Sequence, residues 1–284
     1  MAISTATNWV QTDRKPRVLV CGGASNSGSQ AAEAQVRQHI ADSFDVVEDS
    51  ASADLAIVLG GDGSILRASG ELSTLGIPAV GVNLGRLGFL ASVSPSEVQR
   101  AFEDVVAGNC RIVEHLMLQC SVLRDKELLA STTGLNEAAL LRGAPFSILD
   151  IDLHVDGELA TTFSCDGLII STPAGSTAHS LSAGGPILRK TLDAFVISAI
   201  SPHTLTVRPV VDSSNRIYEM TLRETKAETA VAVDGKVIAN VTTQDVIRVE
   251  KAKKPFLMIE VDGQNDYRSL REKLDWGGRI RHKK

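Results

Sequence analysis

Three short apolar runs in the first part of the chain each end in glycine, and each is followed by a stretch with helical spacing. RVLVCGG (17–23) leads into SGSQAAEAQVRQHIADSF, ADLAIVLGGDGS (53–64) into SILRASGELSTL, and IPAVGVNLG (77–85) is followed by SPSEVQRAFEDVVAG. Apolar runs of this length, bounded by glycine and alternating with helices, predict βα units around a parallel sheet with helices on both faces. FDVVED adds a short strand. Ser27 or Ser29 is a candidate cap for the first helix. Ser94, with Pro95 at the first helical position and Glu97 three residues after the cap, starts a later one.

Near Gly108 the pattern changes. CRIVEHLMLQCSVL, AALLR, SILDIDLHVDG, LATTFSCDGLIIST, TLTVRPVV, NRIYEMTLRE, TAVAVDGKVI and DVIRVEKA read as strands separated by turn signals. DLHVDGEL and AVAVDGKV place Asp-Gly between alternating runs, the strongest short hairpin signal. Helix is expected only around SAGGPIL and LDAFVIS. The expected organisation is an α/β domain over 1–108 and a β-rich, sandwich-like domain over 109–255. A short basic helix lies in the 256–284 tail, within YRSLREKLDWGGRIRHKK.

Composition narrows the function classes. A net charge of -5 argues against broad binding to nucleic acid or membrane surfaces. No apolar run is long enough to span a bilayer, and MAISTATNWVQTDRKPR lacks the basic-then-apolar order of a signal peptide. Cys21, Cys110, Cys120 and Cys165 show no C-x-x-C spacing, so reduced thiols in a cytoplasmic protein are expected.

Several segments carry candidate chemistry. In CGGASNSGSQ, Gly23 and Gly28 have P-loop spacing, but Ser29 and Gln30 follow where Lys and Ser or Thr are required, so a small-residue turn is the better reading. LGGDGS is stronger. It sits where a parallel strand ends and a helix begins, the place where α/β sheets bind ligands. Gly60, Gly61 and Gly63 allow positive φ and close approach by phosphate, and the helix from Ser64 points its positive end at the turn. Asp62 there either caps the helix or faces a substrate hydroxyl whose proton it accepts.

In GVNLGRLGFL, Asn83 and Arg86 serve phosphate, position a lid, or merely shape a turn. Asn136 and Glu137 pair an amide with a carboxylate suited to ribose hydroxyls and an exocyclic amine, although taken alone a turn before a strand is the better reading. In CDGLIISTPAGSTAHSLSAGGPIL, small and hydroxyl residues bring backbone N–H groups near a polar ligand, or else form a surface loop. His203 reads as structural, and turn formation suffices for Asp234 and Lys236.

In order, these segments resemble the NAD kinase family: GGDG at 60–63, VNLGRLGFL, the Asn136–Glu137 pair, the glycine-rich segment from Cys165, SPHTLTVRPVV, AVDGKVI and SLREKLDW, across roughly residues 55 to 276. The resemblance implies an N-terminal α/β domain, a β-rich C-terminal domain and a tail returning to the first. It implies transfer of the γ-phosphoryl of ATP, or of polyphosphate in some members, to the 2′-hydroxyl of the adenosine ribose of NAD. Magnesium or another divalent cation would accompany the donor, and the chain would form a dimer or tetramer.

Carried over by position, Asp62 would accept the ribose proton, with Gly63 and Arg67 lining its pocket and Gly60, Gly61, Gly63 and Ser64 receiving donor phosphate. Asn136 and Glu137 would hold the ribose and base of NAD, and Asp166 would bind the dinucleotide from the β-rich domain. Thr177, Ala178, His179, Ser180, Leu181 and Ser182 would form one wall, with Lys236 at a further contact.

The chain departs from the family at four places. Ser64 replaces Thr, His179 replaces an aromatic Tyr, Ser164 stands where a basic residue is common, and the CGGASNSG turn differs from the usual start. Phosphofructokinases share the GGDGS spelling but would show a second α/β domain. Lipid kinases would show an apolar entrance and leave TPAGSTAHSLSAGG unexplained. A catalytically silent dinucleotide sensor would have lost Asp62 or the glycine turn.

Overall fold

The computed structural model describes residues 3–4, 14–23, 30–85, 88–91, 93–144, 147–224, 228–261, 270–271 and 273–274. Ser27, Gly28, Ser29 and Arg86 lie outside them. The chain divides into two compact units, one of Ala2–Glu114 with Leu257–Lys284, the other essentially His115–Phe256.

The first unit is built on a seven-stranded sheet in the order β1-β6-β19-β5-β4-β2-β3. Its strands are β1 (Ile3–Ser4), β2 (Arg17–Gly22), β3 (Asp45–Val47), β4 (Leu55–Leu59), β5 (Ala79–Val82), β6 (Cys110–His115) and β19 (Phe256–Val261). From β19 through β3 the pairings are parallel, whereas β1 runs antiparallel to β6. Cys110–His115 thus belongs to this sheet, so the change of architecture comes later in the chain than the change in sequence pattern near Gly108.

β4 is buried at every position, as a strand covered on both faces must be. Leu55, Ile57 and Leu59 share a core with Val36 and Ile40 of α1 (Gln30–Ser43) and Phe102 and Val105 of α3 (Val98–Ala107). Ala56 and Val58 point the other way, and α2 (Asp62–Leu75) also packs on β4. The buried positions Val98, Ala101, Phe102 and Val105 recur at helical spacing, and Phe44 meets Phe102 edge-on at 5.1 Å. Burying Phe102 alone stabilises by roughly 1.5–3 kcal/mol. The sequence signal at Ser94 is real but precedes the regular helix by a turn. Glu97 reaches back to the Ser94 hydroxyl at 2.6 Å, while α3 proper begins at Val98.

The second unit consists of two six-stranded antiparallel sheets. One has the order β11-β10-β15-β18-β7-β8, from β7 (Leu118–Arg124), β8 (Glu127–Gly134), β10 (Leu149–Val155), β11 (Glu158–Cys165), β15 (Tyr218–Leu222) and β18 (Asp245–Lys251). The other has the order β14-β13-β12-β9-β16-β17, from β9 (Glu137–Arg142), β12 (Gly167–Ser171), β13 (Ala194–Ile200), β14 (Val210–Ser213), β16 (Thr229–Val233) and β17 (Lys236–Val241). Side chains from both sheets, among them Val122, Ile151, Tyr218 and Ile247 with Leu140, Ile170, Phe195 and Val231, fill one core, the mark of a β-sandwich.

Both Asp-Gly pairs form the hairpin turns their sequence demands. Asp156 and Gly157 have φ of 52° and 85°, and Asp234 and Gly235 have 49° and 77°. The helix expected around LDAFVIS is instead strand β13. Its five central residues are all buried, and a continuous apolar run has no period that separates strand from helix. The covering layer is α4 (His179–Ser182), which packs on β12 and β13.

Candidate functional site

In the first unit, β4 delivers the chain into Gly60, which has a φ of 127° and where a Cβ would stand 2.3 Å from the Ser64 hydroxyl. Only Gly60 of the three turn glycines takes positive φ. A Cβ on Gly61 would meet nothing within 4 Å, and one on Gly63 would reach only the Arg67 guanidinium at 3.7 Å. Their bare backbones therefore face open space at a helix N-terminus, where a bulky anion can approach. Arg67 donates to the Ser64 hydroxyl at 3.0 Å and is otherwise exposed.

Asp62 is the first residue of α2, yet it does not cap that helix. Its carboxylate turns to residues 88–91 and accepts the backbone N–H groups of Phe89 (2.8 Å), Leu90 (3.0 Å) and Ala91 (3.0 Å). Gly88 completes the cradle, since a Cβ there would lie 1.9 Å from Oδ1. A carboxylate offers about four lone-pair directions, so three N–H bonds fix the group and leave room for one more donor. The side chain is 30% exposed, enough for that donor to come from outside. Asn83, by contrast, is buried and accepts the Gly85 N–H, which gives it a turn-forming task.

A second cradle lies in the β-rich unit. Asp234, at the β16–β17 hairpin tip, accepts the N–H groups of Leu135 (2.8 Å), Asn136 (2.8 Å) and Glu137 (3.1 Å). The hairpin tip thereby clamps the β8–β9 connection. From the other side, Thr172 N–H donates to the Asn136 carbonyl at 2.8 Å. Gly175 lies so close that a Cβ would be 2.2 Å from that same oxygen. Residues 135–137, 172–179 and 234, far apart in sequence, meet here. Asn136 keeps a partly exposed side chain, whereas Glu137 is buried and its Oε2 has no hydrogen-bond partner among the described residues. Burial pushes the Glu137 carboxyl up to about 7, the nearby Asp234 carboxylate adds to the shift, and the His179 N–H opposes it. Asp234 is also raised by burial, against its three N–H bonds.

The glycine-rich segment is no loose surface loop. Ser176 donates to Pro173 O at 2.7 Å and accepts from Leu188 N–H, and the buried Ser180 hydroxyl pairs with Ser198 at 3.2 Å. Thr177 bonds Ala174 O at 3.2 Å. Ala178, His179 and Leu181 are partly exposed, and Ser182 is exposed. Lys236 is exposed at the start of β17, paired with Val233.

Asp166 is not part of this group. Gly167 pairs with Leu141 at one end of β12, and Ser171 pairs with Glu137 at the other. Five residues of strand put Asp166 about 17 Å from Ser171. Its carboxylate is instead held by Arg142 at 2.8 Å, with His203 Nε2 at 3.7 Å. His203 reads as structural from the sequence, and Arg142 is not singled out there. Arg142 merely ends an apolar strand, and nothing local to it signals an acid on the neighbouring strand.

Thiol chemistry is not supported. Burial raises Cys110 and Cys165 to about 11 and Cys120 to about 12, away from the thiolate form. No cluster of three or more His, Cys, Asp or Glu suited to a metal occurs among the described residues. Nor is any helix among them long and apolar enough to cross a membrane.

Comparison with known proteins agrees with this geometry. The ATP-NAD kinase N-terminal domain matches residues 11–110, and the ATP-NAD kinase C-terminal domain matches residues 135–261. The chain is 47% identical over 282 residues to an NAD kinase from Rhodopirellula baltica, covering 96% of this chain and 91% of that one. It is 40% identical over 228 residues to an NAD kinase from Methylococcus capsulatus, covering 80% and 79%. Among solved structures, yeast NADH kinase complexed with NADH superposes with a TM-score of 0.82 at 22% identity, covering 95% of this chain and 90% of that one, a likeness of fold. An Archaeoglobus fulgidus NAD kinase in complex with ATP superposes with a TM-score of 0.72 at 26% identity, covering 92% and 99%.

These matches put the chain in the class of phosphotransferases with an alcohol acceptor. Within that class, the chain belongs to the ATP-NAD kinase family.

Proposed function

We infer that this protein is an NAD kinase, which transfers the γ-phosphoryl group of ATP to the 2′-hydroxyl of the adenosine ribose of NAD and gives NADP. The family match over both units supports the reaction. The single observation that carries the site is the Asp62 carboxylate, held by three backbone N–H groups and open to one further donor. A ribose hydroxyl is that donor. Its oxygen attacks the γ-phosphorus, the bond to the bridging oxygen breaks, and ADP leaves with the electron pair. The hydroxyl proton passes to Asp62 and then to solvent. Because phosphoryl transfer runs through a loose transition state, the proton leaves late and a carboxylate suffices as acceptor.

Gly60, Gly61, Gly63 and Ser64 offer the turn and helix N-terminus to donor phosphates, with Arg67 beside them. Asn136 and Glu137 hold the ribose and base of NAD, the exposed parts of Thr177–Ser182 form a wall, and Lys236 lies at its margin. The hydroxyl of Ser180 is taken by Ser198, so that residue contributes shape. Asp166, at the far end of β12, binds the dinucleotide at a separate contact.

A divalent cation would arrive on the nucleotide, since magnesium keeps several waters and binds mainly through substrate phosphates. When bound, it neutralises charge on the donor phosphates. A homo-oligomeric, dimeric or tetrameric, cytoplasmic enzyme completes this reading.

The test is direct. Purified protein, magnesium and NAD or NADH are incubated with ATP or polyphosphate, and the product is followed by an NADP-specific dehydrogenase. NADP formation with ATP is expected. Phosphorylation of fructose 6-phosphate or a lipid in place of NAD would overturn the assignment.

A further inference from the structure

The tail segment SLREKLDW was absorbed by none of the roles above. Residues 270, 271, 273 and 274 are helical and belong to the first unit. Lys273 Nζ lies 3.8 Å from Asp62 Oδ2 and 4.2 Å from the centroid of the Phe89 ring. Phe89 is also the residue whose N–H binds that same Oδ2. The lysine side chain is only 23% exposed, unusual for a residue that is normally solvated.

We propose that Lys273 is a positioning residue for Asp62. Its ammonium and the Phe89–Ala91 amides together fix the carboxylate, and the cation offsets the repulsion between Asp62 and an incoming polyphosphate. Two contacts hold the ammonium in place. The ion pair draws it toward Oδ2, and the ring face of Phe89 attracts it by the cation–π effect. Arg67, also near the turn, is committed to the Ser64 hydroxyl. A donor carrying several negative charges must approach a turn whose own acid is negative, so a fixed positive charge beside that acid matters most when the donor is bound. The role therefore appears in turnover and in donor use, not in affinity for NAD. The proposal rests on the NAD kinase reading of the site.

The experiment uses the full chain and compares Lys273→Met with Lys273→Arg. Met keeps the apolar stem against Phe89 and removes the charge, whereas Arg keeps charge and ring contact. Lys273→Met is expected to lower kcat about 100-fold, the low end for loss of one preorganised electrostatic group. KM for NAD should stay within about twofold of wild type, and Lys273→Arg should recover activity to within about threefold, both small on the scale of tenfold per ~1.4 kcal/mol. Adding Lys273→Met to Asp62→Asn should cost nothing further, because groups acting as a unit are non-additive. Wild-type kcat in Lys273→Met, equal failure of the Arg variant, additive losses with Asp62→Asn, or loss of the melting transition in Lys273→Met would each overturn the proposal. An active wild type with an undiminished Met variant removes Lys273 alone, whereas a wild type that makes no NADP removes the parent reading as well.

Discussion

Gly88 faces the Asp62 carboxylate at a distance no side chain can share, since a Cβ would stand 1.9 Å from Oδ1. The N–H groups of the next three residues hold that carboxylate, so the glycine and the acid are one device. Gly88→Ala must push Asp62 or the segment 88–91 out of place. A displacement near 1 Å at a reacting group costs about 100-fold in turnover. The expected result is a large fall in kcat in a protein that keeps its circular dichroism spectrum, and wild-type kcat would separate the cradle from the chemistry.

Asp62→Asn retains the shape of the side chain but replaces one carboxylate oxygen with an NH2 group that opposes the cradle's N–H donors. Turnover should fall by at least ~100-fold, the low end for loss of a general base. NAD affinity, measured by calorimetry, should change little. Undiminished activity would remove Asp62 from the mechanism.

Glu137 gives the protein a pH-dependent stability of known sign. Its carboxyl is raised from an ordinary 4.5 to about 7 in the folded state, chiefly by burial. Between these values the folded chain binds more protons than the unfolded one, so stability falls as pH rises. The loss begins near 4.5 and is complete above 7, with a size of order 3 kcal/mol. Glu137→Gln keeps the shape and removes the titration. Denaturant melts at pH 5 and pH 8 should show the slope in wild type and a flatter one in the variant. An equal slope in both would place the titrating group elsewhere.

His179 opens α4 in the glycine-rich segment, and its backbone is anchored by the hydrogen bond to Glu137. His179→Tyr enlarges the aromatic face without moving the chain. If the ring stacks on NAD, affinity should rise about fivefold, near 1 kcal/mol for an aromatic pair. An unchanged dissociation constant would make the position a spacer.

The strands and turns of the sandwich were legible where chemistry is local. Asp156–Gly157 and Asp234–Gly235 demanded tight hairpins and made them. The same locality hid β13, whose apolar run carries no period because both of its faces are covered. The site divides in the same way. LGGDGS announced itself because glycine and aspartate at a strand end are unusual together. That Asp62 bonds the backbone at 89–91 and not its own helix depends on a tertiary approach that side-chain identity does not encode. Arg142 beside Asp166, and Lys273 beside Asp62, were missed for the same reason: each is an ordinary cation until the fold supplies its neighbour.

The place of β19 in the first sheet has a consequence for how the enzyme is made. It lies between β5 and β6, yet it is encoded after the whole β-rich unit. A chain emerging from the ribosome can complete the sandwich first, while the sheet that bears Asp62 waits with a gap in its interior. A nascent chain stopped before Phe256 has both halves of that sheet but no strand to join them, and so cannot turn over NAD before β19 has been made.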